Sequence, residues 1–289
     1  MKKPLFYFAG LAARILPQPL KQALYRWPLS NVIRRWLNRA APQGLTRVRV
    51  AGGALSGSML VLDLQNEKDY WLGTYEPELQ EAIGKLVEPG MVSYDIGANI
   101  GYISLLLAHA AGESGRVIAF EALPQNVARL RQNLALNGME ERVEVVHAAV
   151  TDQPKPVHFL VGPSSGTGKV EGSAGRHELH YSQSITVPGI ALDDFVFGRG
   201  HPKPDMMKID IEGGEVLAVP GMLRVLSEVR PVILMELHGP EAAQASWDAL
   251  IACGYRVCRM NRDYPEVGDL SELDWKAYLV AFSKERKLA

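Results

Sequence analysis

Two cysteines in 289 residues, Cys253 and Cys258, are too few for a disulfide framework and lack the clustered spacing of a zinc site. They read as partly buried thiols of a reducing compartment. Long apolar runs are also missing, since no stretch approaches the ~20 residues that span a bilayer. The nearest is the start, where Met1, Lys2 and Lys3 precede the apolar Leu5–Ala13. Arg14 follows at once and no small-x-small cleavage site closes that stretch, so it reads as retained rather than as a cleaved signal. Acid is scarce in the same region: ten Lys and Arg occur up to Leu62, and no Asp or Glu occurs before Asp63. The remainder carries 21 basic against 32 acidic residues, a balance of −11, so the net charge of −1 averages a basic arm and an acidic body. With 47% apolar residues the chain has ample material for a core, and disorder and collagen are excluded.

Periodicity divides the chain into an arm (1–45), a hairpin and helix (46–90) and a larger domain (91–289). In the arm, Pro17, Pro19 and Pro28 break short helices and Ser30 caps the next one. There Val32, Ile33, Trp36, Leu37 and Ala40 form one face, and Arg34, Arg35 and Arg39 another. Two readings stand: an apolar stripe packed on the body, or an arm resting on anionic lipid at the inner face of the membrane. The expected location is cytoplasmic, with that peripheral contact through residues 1–40.

From Arg47 the period becomes two, and glycines at 52, 53 and 57 predict a β-hairpin over 47–64. Strand-like runs follow at 92–95, 117–121, 143–150, 206–211, 232–237, 255–260 and 278–282. Helical patterns lie between most of them, at 100–111, 124–137, 215–226 and 241–253. This alternation predicts an α/β fold with a mostly parallel seven-stranded sheet, helices on both faces and an antiparallel edge strand at the end. Residues 162–184, rich in Gly, Ser and His, read as a loop insertion.

Ligands of open α/β sheets bind beyond the carboxyl ends of the strands. The first such end is Asp95-Ile96-Gly97-Ala98-Asn99-Ile100-Gly101, where the glycines would let backbone approach a ligand. It is a poor dinucleotide site: Asn99 replaces the second glycine of the GxGxxG fingerprint, and Asp95 would repel a pyrophosphate while suiting an amino group. Glu121 closes the second strand and can accept both hydroxyls of a ribose, so an adenosine-type site leads.

These residues, with Ala119-Phe120-Glu121-Ala122, Asn133-Leu134-Ala135-Leu136-Asn137-Gly138 and Lys208-Ile209-Asp210-Ile211-Glu212-Gly213-Gly214-Glu215, resemble the FkbM family of S-adenosylmethionine-dependent methyltransferases. Tyr75-Glu76, Leu192-Asp193-Asp194 and Arg230-Pro231-Val232-Ile233-Leu234-Met235-Glu236 extend the resemblance over roughly residues 70 to 240. It implies a Rossmann-like class I methyltransferase fold. Gly97, Ala98, Asn99 and Gly101 would then receive the methionine part of S-adenosylmethionine (SAM), with Asp95 near its amino group. Glu121 would hold the ribose, Ala122 and Ala149 would border the nucleoside, and Glu76 would help close the site. Where the family usually has Glu-Pro after the second strand, this chain has Glu121-Ala122.

The acceptor chemistry is read from the third and fourth ends. In an extended strand Lys208, Asp210 and Glu212 share one face, as do Glu236 and His238 on the neighbouring strand. Asp210 is the first choice for the group that orients or deprotonates an acceptor, with Glu212, Lys208 and His238 behind it. Asp210 with Glu236 could hold Mg²⁺, but nothing in the spacing demands a metal and the reading goes without one. The resemblance implies O-methylation of a hydroxyl on a glycan, glycolipid or natural product. N-methylation of nucleic acid or another amine is the alternative within enzymes. It lacks the Asn/Asp-Pro-Pro-Tyr string and would set phosphates against an acidic body. A non-catalytic scaffold bound through its basic arm is the alternative outside them.

Overall fold

A computed structural model describes residues 42–164, 166–175, 180–181, 183–274 and 277–285. The basic arm and its amphipathic helix lie outside the described residues. The chain forms two compact units, one running to Gln80 and taking in Ala135–Gly138, the other comprising the rest.

In the first unit β1 (Leu45–Arg49) and β2 (Met59–Asp63) form the expected antiparallel hairpin, followed by α1 (Lys68–Leu72). α2 (Pro77–Leu86) leads into the second unit. Asn137 explains part of a family motif here. Its amide oxygen accepts the Met59 N–H at 2.9 Å and its amide nitrogen donates to the Met59 carbonyl at 2.8 Å. That pairing ties 135–138 to the end of the hairpin.

The second unit follows the predicted alternation: β3 (Val92–Ile96), α3 (Tyr102–Ala110), β4 (Arg116–Glu121), α4 (Pro124–Ala135) and β5 (Val143–His147). Next come β6 (Ala149–Val150), β7 (Val157–Val161), β8 (Lys169–Val170), β9 (Gln183–Val187) and β10 (Gly189–Ile190). The chain continues through β11 (Met206–Ile209), α5 (Glu215–Ala218), β12 (Val232–Glu236), α6 (Pro240–Ala252), β13 (Tyr255–Arg259) and β14 (Tyr278–Ser283).

The main sheet has the order β13-β14-β12-β11-β3-β4-β5. Alternate residues Tyr94, Ile96, Ile118, Phe120, Met207, Ile209, Ile233 and Met235 belong to one buried cluster with Phe195, Val225 and Leu226. This period-two apolar set supplies the main driving force for the layer. Strand order reverses between β3 and β11, which places a crevice beyond their carboxyl ends.

Four expectations change. β14 is antiparallel, yet it lies between β12 and β13, so β13 is the edge. The expected strand 143–150 is two strands: after His147 the chain leaves β4, and β6 pairs with β10 instead. The helix expected at 215–226 stops after one turn, because Pro220 lacks an N–H and constrains the residue before it. Asp193 then accepts the N–H groups of Arg224 and Val225 at 3.0 and 2.8 Å and starts a π-helical turn over Val225–Val229. Finally, the insertion 162–184 is not simply a loop, since β8 pairs with β7 inside a small sheet β8-β7-β9.

Candidate active site

The turn after β3 is built by its neighbours. Gly97 and Ala98 both donate to the Phe120 carbonyl, at 3.0 and 2.9 Å. Gly97 has φ +82°, and a Cβ there would stand 1.9 Å from the Asp210 carbonyl oxygen. Gly101, at φ +88°, would meet the Leu130 side chain at 2.3 Å. Both glycines thus leave room for the protein's own backbone and for α4. Asn133 adds a second tie, donating to the Ile100 carbonyl at 2.8 Å.

Glu121 closes this corner. One carboxylate oxygen accepts the Asn99 N–H and the other the Leu123 N–H, both at 2.7 Å, with Asn126 at 3.4 Å. Asn99 itself lies in the left-handed region at φ +47°, a conformation that asparagine tolerates better than most residues. Burial pushes the Glu121 carboxyl up to about 7, against the opposing pull of those N–H donors and of Lys208. Ala122 and Ala149 are buried alongside.

Beyond β11 lies a charged cluster. Buried Lys208 donates to the Gly97 carbonyl at 2.9 Å and stands 3.4 Å from both Asp95 Oδ1 and Asp210 Oδ2. Asp95 is fully buried beneath the turn and takes the Ser104 hydroxyl at 2.6 Å. Asp210 is the more accessible carboxylate, its side chain 19% exposed. β11 ends at Ile209, and Glu212 adopts φ +56°. Strand alternation therefore does not hold through Glu212, which reaches the cluster by a strained turn instead.

His238 joins these groups across the β12 end. Its Nδ1 lies 3.3 Å from Glu215 Oε1, while Nε2 faces Asp210 at 3.6 Å, Glu236 at 3.7 Å and Glu212 at 4.0 Å. Burial alone would lower its pKa. The Glu215 hydrogen bond and the charges of Asp210, Glu215 and Glu236 outweigh burial and raise it to about 9. Lys208, Asp210, Glu212 and His238 thus sit together, next to the turn of Gly97. Glu76 belongs to the first unit, at φ +42°. Sequence reasoning gave little weight to Glu215, which is fully buried and orients the imidazole, and missed Ser104 altogether. The only hint of Glu215 was an acid opening a helix.

Donor chemistry decides what this crevice fits. Buried carboxylates at the β3 and β4 ends, with Lys208 already engaged, suit a cationic sulfonium nucleoside and would repel a pyrophosphate. Asp210, Glu236 and His238 each bring one donor atom to within 4.8 Å of the others, a nitrogen and oxygen set that a divalent cation could use.

A seven-stranded sheet of this order, with acidic and glycine positions gathered at its switch point, has the architecture of a class I SAM-dependent methyltransferase domain. The FkbM methyltransferase domain model matches residues 95–257, and the chain belongs to that family. Among its relatives, the hexuronic acid methyltransferase AglP of Haloferax volcanii is 28% identical over 191 residues, 64% of this chain and 72% of that protein. The 31-O-demethyl-FK506 methyltransferase FkbM of Streptomyces tacrolimicus is 26% identical over 58% of this chain and 73% of its own length. The 2-O-methyltransferase NoeI of Sinorhizobium fredii is 25% identical over 52% of this chain and 65% of its own length.

Proposed function

We propose that the chain methylates a hydroxyl of a saccharide or hydroxylated natural product. The carrying observation is the Lys208, Asp210 and His238 cluster beside the Gly97 turn, a set of groups that can orient an acceptor oxygen and take up its proton. SAM, when bound, supplies that methyl on a cationic sulfur. Glu121 would hold the ribose and the 97–101 turn the methionine part. Asp95 acts from below, by fixing Lys208.

A sugar hydroxyl is a poor nucleophile, so a carboxylate beside it is valuable. Asp210 fills that role as the accessible acid of the cluster. His238 already carries a proton at neutral pH, and this suits it to steer Asp210 and the acceptor rather than to take a proton itself. Lys208 holds the other Asp210 oxygen, and Glu212 lines the same wall. A bound cation remains the second choice for the Asp210, Glu236 and His238 set, and no step of this reading needs one.

The names of the relatives, which refer to a hexuronic acid, a 2-O position and a 31-O position, support an oxygen acceptor. The acid-rich site disfavours nucleic acid. Among the described residues no helix is long and apolar enough to cross a membrane. Residues 1–40 would supply any contact with a lipid surface, as a peripheral arm on a cytoplasmic enzyme.

Mass spectrometry of cell-envelope glycans and small metabolites from strains with and without the gene tests the acceptor class. The expected result is one species lighter by a CH₂ unit in the mutant, whose methyl group in the parent strain survives mild alkali as an ether does. An alkali-labile methyl would mean a carboxyl acceptor, and an N-linked methyl would revive the amine alternative.

A further inference from the structure

Lys169 lies in the insertion, where β8 pairs it with Leu160 of β7, and the residue is 5% exposed. An ammonium so enclosed costs several kcal/mol unless it is well hydrogen-bonded. Here it converges on three successive carbonyls, those of Ser173 at 3.4 Å, Ala174 at 3.3 Å and Gly175 at 2.6 Å, and it lies 5.6 Å from the Tyr181 ring.

Those carbonyls belong to a short strap wedged between the two turns that carry the acceptor cluster. The Ala174 N–H donates to the Gly213 carbonyl at 2.9 Å. Gly213, at φ +92°, approaches so closely that a Cβ would stand 1.9 Å from the Ala174 carbonyl oxygen. On the other side a Cβ on Gly175 would stand 2.5 Å from the His238 carbonyl oxygen, and one on Gly239 would stand 3.3 Å from the Gly175 Cα. The strap therefore spaces the turn after β11, with Asp210 and Glu212, from the turn after β12, with His238. Earlier in the same insertion, a Cβ on Gly166 would stand 3.5 Å from the Asn99 amide nitrogen. The insertion thus borders both ends of the crevice.

We propose that Lys169 is a positioning residue: by tying the 173–175 strap it sets the separation of Asp210 and His238 and forms the wall against which the acceptor is placed. Burial lowers the Lys169 pKa, and nearby Glu212 opposes that shift. The assignment of an acceptor to this wall rests on the methyltransferase reading above.

The test uses the full chain and its Lys169→Met variant, which keeps the apolar stem and removes the ammonium. Hydrogen exchange at the Ala174 amide should rise at least tenfold. The His238 imidazole resonance should move, while S-adenosylhomocysteine affinity should stay within twofold of the parent. Gly175→Ala disturbs the strap at a carbonyl that Lys169 holds while leaving the ammonium in place, and it should move the same resonance, which keeps the proposal open to refutation if Lys169→Met fails to fold. An unmoved His238 resonance in the folded variants would overturn the positioning role and leave Lys169 a mere loop tie. Failure of the parent chain to bind S-adenosylhomocysteine would instead count against the methyltransferase reading, since the exchange and resonance measurements do not depend on it.

Discussion

Asp210→Asn is expected to lower methyl transfer by about 10²–10⁴-fold, the usual range for losing a positioned proton acceptor. The substitution is nearly isosteric, so the site keeps its shape. Lys208 retains Asp95 at 3.4 Å and the Gly97 carbonyl at 2.9 Å, so its charge is not stranded when Asp210 loses its own. S-adenosylhomocysteine affinity should therefore stay within a few-fold of the parent, and the loss should fall on turnover rather than on cofactor binding. Single-turnover transfer of a labelled methyl group, beside calorimetric titration of S-adenosylhomocysteine, separates the two. An unchanged turnover would remove Asp210 from the chemistry and pass the role to Glu212 or Glu236. Both face the same imidazole, at 4.0 and 3.7 Å.

Gly97→Ala should act through the fold. Two independent costs coincide there: the left-handed backbone at φ +82°, and a Cβ placed 1.9 Å from the Asp210 carbonyl oxygen. Backbone strain and overpacking of this kind each cost about 1–3 kcal/mol, so destabilisation of about 2–6 kcal/mol is expected, with loss of cofactor binding because the β3 and β11 ends must part. Gly138→Ala is the control. Its φ is +64° but nothing lies within 4 Å of a Cβ there, so only the conformational cost of about 1–2 kcal/mol should appear. Thermal and denaturant melts of the two variants measure the difference. Equal destabilisation would show that the contact with the β11 end carries no weight.

The comparison of Gly97 with Gly138 also shows how much the sequence revealed. Positive φ was foreseeable at both, because glycine before a helix and after one has that local use. What crowds Gly97 was not, since Asp210 lies more than a hundred residues away and leaves no trace in local periodicity. The same division runs through the fold. Short apolar runs gave β3, β4, β11 and β12 to within a residue or two, since central parallel strands are buried on both faces. The insertion of β14 between β12 and β13 depends on pairing between strands, and an antiparallel partner does not announce its neighbours.

At the site, Lys208, Asp210, Glu212 and His238 were legible as chemistry at strand ends, and the structure brings all four together. Glu212 does not arrive on a strand face, as β11 ends at Ile209 and a left-handed turn delivers the side chain. Ser104 escaped notice and Glu215 carried little weight because a serine inside a helix and an acid at a helix start ordinarily face water, whereas both are fully buried and bonded to site residues. The Lys169 strap was hidden for a compositional reason: Gly and Ser dominate its surroundings, which read as loop.

The proton balance of the site bears on stability as well. His238, raised to about 9 from an ordinary value of 6.5, contributes stability that is fully present below pH 6.5 and lost as pH rises through 9. Glu121, a carboxyl raised to about 7, acts in the same sense over a lower window, so the ligand-free fold weakens from about pH 4.5 to 7 as that buried group ionises. Ribose hydroxyls donating to Glu121 would favour the ionised form, so cofactor binding should run against the stability trend and tighten as pH rises to 8.

The most direct test of a SAM-dependent enzyme with Glu121 at its ribose is calorimetric titration of the full chain with SAM at pH 8 and pH 6. Binding is expected at pH 8 and about tenfold weaker at pH 6, one pH unit below the Glu121 midpoint. In Glu121→Gln the affinity should drop and the pH dependence flatten. Absence of SAM binding by the parent chain at either pH would contradict the account.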